Sequence, residues 1–119
     1  MTLKRLSLAA LAVSVVLFVP RLALAHAHLV ASTPAANAVV PAGSVAVDLQ
    51  YNSRVDLKGC MITLVMPDGH VQRVALDRQS NQTNLDAHLT LRPGSYTLRW
   101  QALSTDGHIT RGDIPFRVR

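Results

Sequence analysis

The stretch SVAVDLQY, residues 44–51, sets Val45, Val47, Leu49 and Tyr51 against Ser44, Ala46, Asp48 and Gln50. Successive side chains of an extended chain point to opposite faces, so this alternation marks a strand covered on one side and wetted on the other. The same period of two recurs on either side of it. CMITLVM (60–66) puts Cys60, Ile62, Leu64 and Met66 on one face, and NLDAHLTL (84–91) does so with Leu85, Ala87, Leu89 and Leu91. SYTLRWQA (95–102) contributes Tyr96, Leu98, Trp100 and Ala102, and DIPFRV (113–118) contributes Ile114, Phe116 and Val118. HAHLVAS (26–32) reads as an edge strand. Turn signals separate these runs: TPAANAVVPAG (33–43), PDG (67–69), RQSNQTN (78–84), RPG (92–94) and TDG (105–107). No stretch after residue 26 carries a helical period. The expected fold is all-β, with about seven antiparallel strands in a β-sandwich or Greek-key barrel of immunoglobulin-like type. Pro115 within the last run predicts an edge or a bulge there.

Ahead of the strands lies a leader. Lys4 and Arg5 precede the apolar run Leu6 to Val19, and Ala23-Leu24-Ala25 offers a small-residue cleavage site, the layout of a secretory signal peptide. The run falls short of the about 20 residues that span a bilayer, which makes an uncleaved anchor the lesser alternative. The expected division is therefore a signal peptide over 1–25 and one domain over 26–119, soluble once cleaved. Ala25-His26-Ala27 is also Ala-x-Ala, so the small-residue rule alone leaves cleavage after Ala27 open.

Lys4, Arg5 and Arg21 leave with the leader, so nine basic residues face seven aspartates in a chain that has no glutamate. Scattered arginines at that balance exclude the basic footprint of a nucleic-acid binder. Cys60 is the single cysteine, which excludes an intramolecular disulfide and leaves stability to a packed core or a ligand. Its place in an alternating run makes it a small buried hydrophobe rather than a thiolate ligand or redox group.

Of the five histidines, His88 falls on the polar face of its run and His70 follows a turn; both read as solvated imidazoles. Asp106 and His108 stand two apart across Gly107, so their side chains project to the same side, although Asp-Gly turns are common in themselves. Cleavage after Ala25 would make His26 the first residue, with an α-amine beside its own imidazole. Amine and Nδ1 can close a chelate ring. With His108 and Asp106 the set becomes three nitrogens and one oxygen, which suits Cu(II) in a tetragonal site and Zn(II) in a tetrahedral one. A rival exists at the same terminus: amine, two backbone amides and the third-position imidazole of His28 can also wrap Cu(II). That arrangement takes amides a strand needs for pairing, which leaves His28 as a neighbour of the site.

HAHLVASTPAANAVVP (26–41), VDLQYNSRV (47–55), PGSYTLRWQALSTDGHITRG (93–112) and FRV (116–118) together resemble the CopC family of exported copper-binding proteins of bacterial copper-resistance systems. The resemblance implies a β-barrel or sandwich that holds Cu(II) through an N-terminal histidine, an aspartate and a histidine, here His26, Asp106 and His108. It favours cleavage before His26, because the spacing to Ser32-Thr33-Pro34 then matches. It also implies a periplasmic location and an inner-membrane copper transporter or oxidase as neighbour. Some members carry a glutamate near the copper where this chain has Ser53, and some have a methionine-rich loop for Cu(I). With only Met61 and Met66 after the start residue, the expectation here is Cu(II) alone.

The expected function is thus a non-enzymatic, monomeric Cu(II) binder that sequesters or delivers copper in the periplasm. Its binding should weaken with falling pH, because amine (reference pKa about 7.7–8.0) and imidazole (about 6.5) donors must lose protons. A histidine-first oxidative copper enzyme is the second class. It is disfavoured by the scarcity of aromatics and by a ligand set that leaves little coordination open for oxygen. An immunoglobulin-like module with bystander histidines is the third, since fold does not fix function.

Overall fold

In the computed structural model, residues 26–78 and 80–119 are described; the leader expected over 1–25, with its cleavage site, lies outside them. The strands are β1 (Leu29–Thr33), β2 (Val39–Val40), β3 (Gly43–Tyr51), β4 (Met61–Val65), β5 (Val71–Val74), β6 (Asn84–Leu91), β7 (Gly94–Leu103) and β8 (Ile109–Val118). A 3-10 turn, Leu57–Gly59, follows β3 and is capped by Asp56, whose side chain accepts from the Lys58 amide. Among the described residues no helix is long and apolar enough to cross a membrane.

Two sheets face each other, one in the order β1-β3-β6 and the other in the order β2-β8-β7-β4-β5. The expected β-sandwich is the fold that forms, and the alternation decides which side chains fill it. Val45, Val47, Leu49 and Tyr51 point inward from β3, and Leu85, Ala87 and Leu91 from β6. Cys60, Ile62 and Leu64 meet them from the facing sheet, with Tyr96, Leu98, Trp100 and Ala102 of β7 and Ile114, Phe116 and Val118 of β8. Each fully buried Leu or Val side chain contributes about 1.5–3 kcal/mol over leaving it in water. Cys60 is buried, as its place in the pattern requires; its thiol donates to the Asp56 carbonyl at 3.1 Å, and burial pushes its pKa up.

The structure sharpens three details. Among the described residues there are eight strands, where about seven were expected. A two-residue strand such as β2 is too short to show a period, and β5 buries only Val74. The sandwich is also not antiparallel throughout, because β2 runs parallel to β8, pairing Val39 with Arg117 and Val40 with Val118. Finally, β8 as a whole is an interior strand, but β2 does not reach Pro115, which therefore occupies a local edge of the kind its ring requires. Its missing amide is tolerated because β2 begins only at the level of Arg117, and the Pro115 carbonyl accepts from the Asn37 amide at 2.6 Å.

One close approach orders the centre of the sandwich. Gly112 of β8 pairs with Trp100 of β7, and a Cβ there would lie 2.6 Å from the indole ring. The absent side chain lets Trp100 lie flat over the backbone and meet Tyr51 edge to face, with centroids 5.4 Å apart. The Tyr51 hydroxyl is buried without a hydrogen-bond partner among the described residues, and desolvation lifts its pKa well above the ordinary tyrosine range.

Candidate metal centre

The turn Ser104–His108 joins the two long strands β7 and β8, and Ser104 is the buried polar residue that shapes it. Its amide donates to the His108 carbonyl at 2.8 Å, and the Gly107 amide donates to the Ser104 carbonyl at 2.9 Å. Its Oγ accepts from the His108 amide at 3.2 Å and lies against both the Asp106 carboxylate and the His108 carbonyl. Gly107 takes φ +90°, a conformation that side-chain-bearing residues rarely adopt, and this brings Asp106 and His108 round to one side. The Asp106 Oδ1 to His108 Nδ1 distance is 3.2 Å. The Ser104 hydroxyl is the main cause that holds the Asp106 carboxyl down at about 2, against a desolvation effect of opposite sign; the His108 amide and ring reinforce the lowering. A carboxylate so held is an acceptor across the whole physiological range.

His26 reaches this turn from the other end of the described residues. Ala27 is fully buried and anchors the segment in the core. The Ser53 hydroxyl donates to the His26 carbonyl at 3.2 Å, and Thr110 Oγ1 donates to the Ala27 carbonyl at 2.7 Å. The His28 amide donates to Asn52 Oδ1 at 2.8 Å, and the Asn52 amide returns a bond to the His28 carbonyl at 3.0 Å. So placed, the His26 ring meets His108 edge to face with centroids 4.5 Å apart. One potential ligand atom from each of His26, Asp106 and His108 lies within 4.8 Å of the others.

The remaining histidines are elsewhere. His28 is exposed, its ring centroid 6.2 Å from that of His26, and stands beside the cluster. His70 sits in the exposed β4–β5 turn, 3.9 Å from Asp68, and His88 contacts Asp77 on the outer face of the three-stranded sheet. Sequence reasoning missed how Ser104, Asn52, Ser53 and Thr110 serve the cluster. Ser53, noted only as the residue standing where some relatives have a carboxylate, holds the His26 carbonyl. Two imidazoles and a carboxylate, partly open to solvent, are donors for a borderline divalent cation such as Cu(II) or Zn(II).

Fold and cluster together define a class: a small β-sandwich that presents a histidine–carboxylate triad where its N-terminal segment meets one hairpin turn. The chain belongs to the CopC family, whose model, described as CopC domain, matches residues 29–119. It is 36% identical over 99 residues to protein YobA of Escherichia coli (strain K12), covering 80% of each chain. It is 27% identical over 107 residues to the copper transport protein CutJ of Bacillus subtilis (strain 168), which takes in 85% of this chain but 19% of CutJ. Among solved structures, CopC from Methylosinus trichosporium OB3b superposes with a TM-score of 0.70 at 28% identity, covering 78% of this chain and 93% of that one. PcoC, a methionine-rich copper resistance protein from Escherichia coli, superposes with a TM-score of 0.60 at 25% identity, covering 80% and 100%.

Proposed function

We propose that the processed chain is an exported Cu(II)-binding protein that sequesters copper or hands it on in the periplasm. Its ligands are the His26 α-amine and imidazole, the Asp106 carboxylate and the His108 imidazole. The observation that carries this function is the convergence of His26 on the Asp106–His108 turn, with their ligand atoms within 4.8 Å. In the uncut chain the His26 nitrogen is an amide; cleavage after Ala25 makes it an amine and completes the chelate. The copper named in the descriptions of CutJ and PcoC supports the choice of cargo. The low methionine content, three residues including Met1, supports Cu(II) over Cu(I), because thioethers are the softer donors.

The protein acts by holding the ion, not by turning over a substrate. Three nitrogens and one oxygen fill the tetragonal positions of Cu(II) and leave little room for an oxidant. An inner-membrane copper transporter is the partner proposed for transfer, with the protein itself a monomer.

The test is intact mass and Cu(II) titration on protein exported and processed by its own host, beside a version carrying one extra residue before His26. A mass starting at His26, one equivalent of Cu(II), and sharply weaker binding in the extended form are expected. Equal affinity in the two forms sinks the amine ligand. Full binding in both Asp106→Ala and His108→Ala sinks the site.

A further inference from the structure

The His26–Ala27–His28 segment can offer Cu(II) two incompatible donor sets, and the structure bears on which is used. One set is that proposed above. The other is a planar wrap of α-amine, Ala27 amide, His28 amide and His28 imidazole, a four-nitrogen chelate that also suits Ni(II). The two share an amine and differ in the backbone: the wrap needs the His28 amide nitrogen itself as a ligand.

That nitrogen is already engaged. A peptide unit is planar, with its carbonyl oxygen and amide hydrogen on opposite sides. In the unit joining Ala27 to His28, Thr110 of β8 donates to the oxygen at 2.7 Å, and Asn52, just after β3, accepts from the hydrogen at 2.8 Å. Asn52 also donates its own amide to the His28 carbonyl at 3.0 Å, fixing the next unit in turn. β3 and β8 belong to different sheets, so the peptide plane is gripped from both sides of the sandwich. Turning it towards a metal would also pull the fully buried Ala27 methyl group from the core.

We infer that Asn52 is a specificity-determining residue that pins the His28 amide, excludes the four-nitrogen terminal chelate and so commits the N-terminus to the site with Asp106 and His108. This rests on His26 being the processed N-terminus. The Asn52 carboxamide touches no metal; it acts through the backbone.

The experiment uses protein beginning at His26, with Cu(II) alone and Ni(II) alone as probes, read by visible absorption and electron paramagnetic resonance. Wild type should give one Cu(II) species and no yellow, diamagnetic Ni(II) complex. Asn52→Ala should gain a second Cu(II) species with a shorter-wavelength d–d band and the yellow Ni(II) form. The ratio of the two Cu(II) species should shift about fivefold or more, the weight of one neutral hydrogen bond. Asn52→Asp, which keeps an acceptor, should behave as wild type, and adding His28→Ala to Asn52→Ala should abolish the new species. Exchange of the His28 amide hydrogen, measured in wild type alone, should be slow. A four-nitrogen species in wild type, an Asn52→Ala spectrum identical to wild type, or a fast-exchanging His28 amide overturns the inference. If Asp106→Ala and His108→Ala leave Cu(II) binding intact while Asn52→Ala still gains the Ni(II) complex, the ligand set fails and the pinning stands.

Discussion

The rings of His26 and His108 meet edge to face with centroids 4.5 Å apart, although one residue opens the described chain and the other lies in its last hairpin. Nothing local holds them there. The His26 side is carried by side chains that grip the backbone on either side of Ala27.

Thr110 supplies one of those grips across 83 residues of sequence. Thr110→Val keeps the shape of the side chain and removes the donor to the Ala27 carbonyl. Cu(II) affinity of protein beginning at His26 is expected to fall by about three- to tenfold, the equivalent of one neutral hydrogen bond. Competition titration against a chelator of known affinity checks it, and Thr110→Ser, which restores the hydroxyl, should recover most of the loss.

Ser104 holds the other side of the cluster. Ser104→Ala removes a buried hydroxyl that is one of two acceptors of the His108 amide, at an expected cost of about 1–2 kcal/mol, read as a Tm lower by roughly 5 °C or more. It also removes the main cause of the low Asp106 pKa. A carboxyl whose folded pKa is depressed contributes stability above its unfolded value, near 3.9, and loses it as pH falls through the folded one. In wild type the Gly107 and His108 amide resonances should therefore hold until pH approaches about 2. In Ser104→Ala they should move at clearly higher pH.

Asp86 carries the opposite sign. It pairs directly across the sheet with Asp48, and burial first, then Asp48 and Asp77, push its pKa up despite the nearby His88. A raised carboxyl binds its proton more tightly folded than unfolded, so its contribution to stability declines as pH rises above the unfolded value. Asp86→Asn should raise Tm at pH 7 by about 2 °C. That gain should close as the pH is lowered and wild-type Asp86 takes up its proton; a constant gain would contradict the assignment.

Gly112 is the position where added volume has nowhere to go. A methyl group there meets the Trp100 ring at 2.6 Å, so Gly112→Ala must displace the indole or bend β8. The expected cost is about 1–3 kcal/mol. Trp100 is the only tryptophan, so a red shift of its emission in the folded variant reports the displacement directly.

What could be read from sequence followed from repetition. β3, β4, β6, β7 and β8 each run long enough for their buried faces to show as alternation, and Ile62, Leu98 and Phe116 lie inside where the period puts them. β2 and β5 were illegible because a two-residue strand has no period and Val71, Gln72 and Arg73 are all exposed. Asp106 and His108 were legible because a glycine turn joins them in sequence. Asn52 and Thr110 were not, since each acts on backbone atoms, 24 and 83 residues away, and leaves no side-chain pattern to find.

The hairpin turn makes half of the cluster from five consecutive residues, Ser104 to His108, while His26 joins only when the N-terminal segment is seated between the two sheets. A chain that has formed β7 and β8 but not docked its N-terminus offers two donors of the set and a much weaker grip on any ion. Retention of a metal by the proposed site would therefore be linked to completion of the entire tertiary structure, not to one hairpin. A bound ion would stabilise the sandwich as a whole, and fraying of residues 26–28 alone would be enough to let it go.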